Sequence, residues 1–304
     1  MRLVFFGTPP AAVASLDSLV KAGHEVLSVV TAPDRPRGRG MNVSTSAVSS
    51  AAQRLGLEVL KPTTLKGWSF DREADVFVVV AYGLLLPTAV LESTSNGCLN
   101  VHFSLLPKFR GAAPVQWALI EGETLTGVTI MQLDKGLDTG PILAQSEEVI
   151  SATDTAGEIE SRLAERGAKL LIEVLESVQR GEAVPRPQDD HLATLAPKLT
   201  KQDARIDWSR GASDVVNRIR AFNPRPGAWA LINSKRVRIL RAREIDEVST
   251  QPHGTIDLSN AATLLVSTDT HQVEIEELQP EGGSPMSAAD FVRGYRPEKG
   301  DRFL

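Results

Sequence analysis

The stretch Cys98-Leu99-Asn100-Val101-His102 sets a neutral amide and an imidazole two positions apart. In an extended chain that spacing puts Asn100 and His102 on one face and Val101 on the other. Histidine titrates near neutral pH, so it can take or give a proton, and the asparagine amide can donate to an oxygen that gains charge. A lone histidine is more often structural than catalytic, so its neighbours decide. Asp138, in Asp134-Lys135-Gly136-Leu137-Asp138-Thr139-Gly140, taken alone reads as a turn residue flanked by glycine. His24, His102, His191, His253 and His271 show no paired ligand spacing, and no metal is expected. The single cysteine, Cys98, excludes an internal disulfide, suggests a reducing compartment and reads as a small core residue.

The elements around these residues predict an α/β fold. Leu3 to Phe6 is a short apolar strand, Gly7-Thr8-Pro9-Pro10 breaks it, and Val13, Leu16, Leu19 and Val20 recur at helical spacing before Gly23. Glu25 to Val30 reads as a second strand, Ser46 to Leu55 as a helix, and Asp75 to Val80 as a buried strand. Strands alternating with helices imply a Rossmann-like open parallel sheet, whose strand ends bind ligands, and Asn100 and His102 fall at such an end. Gly-x-Gly-x-x-Gly is missing from the first turn, which removes the main support for a dehydrogenase. Thr155 and Glu158 form a capping box for an amphipathic helix that ends at Arg180-Gly181. The expected division is a catalytic domain over 1–180, a proline-bearing linker over 181–201 and a small OB-like β-barrel over 202–304. Strands of that barrel are expected at Val237 to Leu240, Gly254 to Leu258, Leu264 to Ser267 and Val273 to Leu278.

The chain has 304 residues and a formal net charge of −5, unevenly spread. From Arg205 to Arg243 there are ten basic residues against two acidic; from Glu244 onward there are four basic against twelve acidic. Such asymmetry can offer phosphates a face on an acidic protein, although a charge run is often only a solvated surface. No apolar run approaches the length of a membrane span, so no membrane attachment is expected. Gly7-Thr8-Pro9-Pro10 interrupts the apolar start that could imitate a signal peptide, so the chain is expected in the cytoplasm, and a monomer is expected.

Ser104-Leu105-Leu106-Pro107-Lys108-Phe109-Arg110-Gly111-Ala112-Ala113-Pro114, with Asn100-Val101-His102 and Leu137-Asp138-Thr139-Gly140, resembles the methionyl-tRNA formyltransferases and, more broadly, the 10-formyltetrahydrofolate-using formyltransferases. The resemblance covers almost the whole chain. It takes in Phe6-Gly7-Thr8-Pro9, Pro33-Asp34-Arg35-Pro36, Gly38-Arg39-Gly40, Val79-Val80-Ala81-Tyr82-Gly83, Ala204-Arg205-Ile206-Asp207-Trp208 and Ile219-Arg220-Ala221-Phe222-Asn223-Pro224.

The resemblance implies formylation of the methionyl amine of initiator tRNA, with 10-formyltetrahydrofolate as donor. Asn100 would steady the charged oxygen, His102 would handle the proton, and Asp138 would orient His102 and a water. Ser104, Leu105, Leu106 and Pro107 would be the formylfolate signature. Val80, Ala81, Tyr82 and Gly83, with the loop Leu133 to Leu137, would line the pterin pocket. Arg39, with Arg37, would hold the tRNA acceptor end, and Lys198 and Lys201 would track its stem. Ala11, Phe103 and Arg225 depart from the family's usual residues at their positions. An amino-sugar nucleotide formyltransferase would share the catalytic residues. A purine-pathway enzyme would leave the last hundred or so residues idle, and a non-catalytic RNA-binding module would have no use for an intact Asn100, His102 and Asp138.

Overall fold

The computed structural model describes residues 1–37, 42–258, 263–298 and 300–304. It holds two compact units, one from Met1–Pro114, Leu125–Val149 and Glu160–Pro197, the other from Val115–Thr124, Ile150–Ile159 and Lys198–Leu304.

The first unit carries strands β1 (Arg2–Gly7), β2 (Glu25–Val30), β3 (Arg35–Arg37), β4 (Asn42–Ser44), β5 (Val59–Leu60), β6 (Val76–Val80), β7 (Cys98–His102), β8 (Leu125–Gln132) and β9 (Ile142–Val149). Helices α1 (Val13–Lys21), α2 (Ala47–Arg54) and α3 (Thr88–Leu91) lie between them; α4 (Pro114–Ile120), between β7 and β8 in the chain, belongs to the second unit but for Pro114, and α5 (Ala156–Gln179) belongs to the first unit from Glu160 onward. Seven strands form one sheet in the order β5-β2-β1-β6-β7-β8-β9. Leu3 to Phe6 and Val76 to Val80 are buried throughout, the continuous apolar pattern of strands covered on both faces. Pairing is parallel from β5 to β7 and antiparallel across β7, β8 and β9, so the expected parallel sheet is mixed at one edge. The loop between β8 and β9 is too short for the crossover a parallel pair needs. Residues 181–197, expected as part of the linker, are held within this unit. Arg186 and Ile142 exchange backbone bonds of 2.8 Å, and Ala196 N–H donates to Arg110 O at 2.7 Å.

The second unit centres on α6 (Ala212–Phe222) and an antiparallel sheet of β10 (Trp229–Ile232), β11 (Lys235–Val248), β12 (Ile256–Asp257), β13 (Leu264–Ser267), β14 (His271–Pro280) and β15 (Met286–Ser287), with α7 (Ala288–Tyr295) after it. The order is β10-β11-β14-β13-β12, with β15 on β14. The segment 301–304 bonds to both ends of this order. Leu304 exchanges bonds of 2.8 Å with Leu231, Asp301 O accepts from Ile256 N–H at 2.8 Å, and Phe303 N–H donates to Gly254 O at 2.9 Å. The curled sheet thereby closes on itself. Inside it Phe303 stacks on Trp208 with centroids 5.8 Å apart, within a core that includes Ile219, Phe222, Val237, Ile275 and Phe291.

At the start of α5 the capping box is present. Thr155 N–H donates to Glu158 Oε2 at 2.8 Å, and Glu158 N–H donates to Thr155 Oγ1 at 3.4 Å. Hydrogen bonds from the Thr155 hydroxyl and backbone hold the Glu158 carboxyl below the usual glutamate range. A lowered carboxyl stabilises the fold above its unfolded value, and that contribution is lost as pH falls through the folded value. Thr155→Ala is expected to cost about 1 kcal/mol in thermal or urea unfolding at neutral pH. In Glu158→Gln, stability should fall less steeply than in the parent as pH drops below the ordinary glutamate range, and an unchanged acid limb would remove Glu158 from that titration.

Candidate active site

Strand β7 lies between β6 and β8, with Asn100 opposite Val79 and Met131, and His102 opposite Thr129. Both side chains issue from the same face of the strand. Asn100 is 8% exposed, and among the described residues its amide has no hydrogen-bond partner. His102 is buried, and its Nε2 lies 3.0 Å from the carbonyl oxygen of Phe109. A carbonyl only accepts, so Nε2 carries the hydrogen, and Nδ1 is the ring position left to take a proton. Nδ1 faces Asp138 Oδ2 at 3.7 Å, beyond a direct hydrogen bond.

Asp138 lies between β8 and β9 in a left-handed backbone conformation, φ 52°. Its Oδ2 accepts the Gly111 N–H at 2.9 Å. Gly111 has φ 126°, and a Cβ there would lie 2.6 Å from Ala196 O, so this donor position admits only glycine. Phe109 and Gly111 are given no role of their own by the sequence; they enter it only within the stretch Ser104 to Pro114 that carries the resemblance.

The segment Ser104 to Pro107 runs from β7 past the same face. Thr129 Oγ1 donates to Ser104 O at 2.6 Å and accepts Leu106 N–H at 3.1 Å, while Gln145 Nε2 donates to Leu106 O at 2.9 Å. Ser104 Oγ is committed to Lys108 O at 2.6 Å, and Leu106 is buried with Met131 and Ile142. Leu105 crosses Gly127, where a Cβ would meet its Cδ2 at 2.5 Å. Thr129, Gln145 and Gly127 thus shape this segment; Thr126-Gly127-Val128-Thr129-Ile130 shares in the family resemblance, but none of the three is given a role by the sequence.

At the end of β6, next to Asn100, Val80 and Tyr82 are buried while Ala81 (φ 47°) and Gly83 are exposed. Tyr82 packs edge-on against Phe6 at 5.4 Å; burial pushes its hydroxyl up to about 12, and the hydroxyl has no partner among the described residues. Together with Thr8, Ser46, Thr63 and Gly83 it lines a cavity of about 210 Å³. Burial also pushes the Cys98 thiol up to about 12, consistent with a core residue and not a nucleophile.

The residues expected to hold tRNA are divided between the two units. Arg37 is in β3, Arg39 lies outside the described residues, and Lys198 and Lys201 are in the second unit. Phe103 is buried behind β7, and Arg225 is exposed on the second unit. Among the described residues no helix is long and apolar enough to cross a membrane, and no cluster of three or more metal-ligating side chains occurs.

Two family models match: formyl transferase over residues 1–175, and formyl transferase, C-terminal domain, over residues 198–296. The methionyl-tRNA formyltransferase of Thiobacillus denitrificans is 44% identical, covering 99% of both chains. That of Nitrosospira multiformis is 41% identical, covering 100% of this chain and 99% of the relative. Among solved structures, the sugar 3N-formyl transferase WlaRD shares the fold with a TM-score of 0.69 at 18% identity, over 90% of this chain and 97% of that one. On these matches, spanning both units, the chain belongs to the formyl transferase family and, within it, to the methionyl-tRNA formyltransferases.

Proposed function

We propose that this chain transfers a formyl group from 10-formyltetrahydrofolate to the α-amino group of methionyl initiator tRNA, with Asn100, His102 and Asp138 as its catalytic residues. The observation that carries the reading is a His102 ring whose free nitrogen faces Asp138, beside an Asn100 amide that no described residue engages. The two full-length relatives named methionyl-tRNA formyltransferase support the acceptor.

The donor supplies a formyl carbon bound to nitrogen. In the reaction a bond forms between the methionyl amine and that carbon, and the carbon's bond to the donor nitrogen breaks. The carbonyl oxygen gains negative charge as the amine adds, and the Asn100 amide is the neutral donor available to it. The proton lost by the amine is taken at His102 Nδ1, where the Asp138 carboxylate offsets the ring's positive charge, and is then given to the leaving nitrogen. Ser104 to Pro107 and Val80 to Gly83 hold the donor. The adjoining cavity, where Thr8, Ser46 and Thr63 stand beside apolar residues, fits a ligand with hydrogen-bonding edges on an apolar body.

Arg37 and Arg39, with Lys198 and Lys201, serve the tRNA. The basic run of the second unit divides by its partners. Arg210 faces Asp207 and Asp214, Arg241 pairs with Glu158 at 3.0 Å, and Arg243 pairs with Glu274. Among the described residues no carboxylate pairs with Arg205, Arg236 or Arg238. The Arg236 guanidinium lies 4.1 Å from the centre of the Trp229 ring, and that of Arg205 lies 5.8 Å from it. Guanidiniums without an ion pair around a partly exposed indole, with Glu281 acting on Arg236 only at longer range, suit phosphates and unstacked bases. Arg205→Ala and Arg236→Ala are therefore expected each to weaken tRNA binding and to lower the slope of log affinity against log salt by about one. Arg243→Ala should leave the slope unchanged; equal effects from all three would dissolve the distinction.

The function is tested by offering charged initiator tRNA, uncharged tRNA and an amino-sugar nucleotide in parallel, with 10-formyltetrahydrofolate. Formylation of only the charged tRNA is the expected result, and formylation of only the sugar would overturn the acceptor.

A further inference from the structure

Phe109, Arg110 and Gly111 form a strip that touches both reacting side chains, since Phe109 O accepts from His102 and Gly111 N–H donates to Asp138. Between them, Arg110 has a buried side chain that turns to Gln188, a residue with no assigned role. Arg110 Nε and Nη2 donate to Gln188 Oε1 at 3.1 and 2.8 Å, and Nη2 also donates to Asp190 Oδ1 at 2.7 Å. Gln188 Nε2 in turn donates to the carbonyl oxygens of Asp138 and Gly140, at 2.8 and 2.7 Å. Both amide hydrogens and both oxygen lone pairs of Gln188 are thereby used, and a guanidinium on one side with carbonyls on the other allows only this orientation of the amide.

What Gln188 holds is the backbone of Asp138. The left-handed region costs a residue with a Cβ some energy, less for Asp than for most, so contacts that hold the 52° φ of Asp138 help fix its carboxylate. The two bonds from Gln188 fix the carbonyls of Asp138 and Gly140 and so define the turn from which the carboxylate reaches Gly111 N–H and faces His102. The chain on either side of Gln188 is anchored without its side chain, by the exchange of bonds between Arg186 and Ile142 and by the bond from Ala196 to Arg110 O. Changing the side chain therefore removes the clamp and leaves the segment in place.

We infer that Gln188, braced by the buried Arg110, is a positioning residue for formyl transfer that sets the Asp138 carboxylate against His102 Nδ1. It acts through Asp138 alone and touches neither reactant. The inference rests on the reading of Asp138 as the partner of His102.

The test is a double-mutant cycle in the full chain, assayed by formyl transfer to charged initiator tRNA. Gln188→Met keeps the size of the side chain and removes all its hydrogen bonds. It is expected to lower kcat by roughly 10- to 100-fold, the cost of a reacting group displaced by about an ångström, with KM for both substrates unchanged. In an Asp138→Ala background the same change should cost nothing further, because the group it positions is gone. A general packing defect would instead multiply the two losses. Gln188→Glu, which sets a carboxylate oxygen against the two carbonyls, provides the same cycle should Gln188→Met fail to fold. Wild-type kcat in the single variants, or losses that multiply, would overturn the proposal. Full activity in Asp138→Ala alone would instead overturn the reading of the site on which it rests.

Discussion

Replacing His102 with alanine should slow formyl transfer by about 10²- to 10⁴-fold, the range for loss of a positioned acid–base group, with tRNA affinity and folate binding intact. The expectation follows from the division of labour on the ring. Nε2 is committed to Phe109 O at 3.0 Å, so only Nδ1 is left to receive the proton, and Nδ1 is the nitrogen that faces Asp138. Alanine removes the proton acceptor and the body that holds the ring in the strand-end site, while neither the Ser104 to Pro107 segment nor the second unit depends on it for a hydrogen bond. Single-turnover rates with saturating substrates measure the chemical step directly. A variant that kept near-wild-type single-turnover rates would take His102 out of the mechanism.

Asn100→Ala should cost about 10²- to 10³-fold in kcat, the usual cost of removing one donor from a developing oxyanion. The amide makes no other bond among the described residues, so its removal leaves no orphaned partner and should disturb stability little. Asn100→Asp is the sharper variant, since it sets a carboxylate where negative charge must develop and should be slower than alanine. The two substitutions, read together with thermal unfolding, separate charge from packing. Equal rates in the aspartate and asparagine forms would mean that this position does not meet the oxygen.

Much of this arrangement was legible in the sequence because apolar runs and strand alternation carry it. Leu3 to Phe6 and Val76 to Val80 lie in adjacent buried strands, and the two-residue spacing of Asn100 and His102 puts both on one face. Asp138 was legible only through resemblance, because a left-handed turn has no pattern of its own beyond flanking glycines. Gln188 had no signal at all. It sits among prolines and polar residues that read as a connection, and its importance comes from four hydrogen bonds made across the fold. The antiparallel edge was missed because periodicity reports a strand and not its direction. In β11 the apolar part Val237 to Leu240 was evident. The strand's continuation to Val248 was not, since it is charged and is joined to β14 by Arg243 with Glu274 and by Arg241 with Glu277.

The closure of the second unit's sheet by residues 301–304 has a consequence for recognition. An open sheet offers a rim of unpaired amides and carbonyls on which another chain can add a strand. Here that rim is occupied at both ends, by Leu304 on Leu231 and by residues 301–303 on Gly254 and Ile256. A partner of this unit is therefore met by side chains and loops and not by main-chain pairing, which suits a polyanion bound through guanidiniums. The same closure keeps copies of the unit from joining rim to rim, and loss of the four residues would bare two rims at once, with self-association as the first symptom.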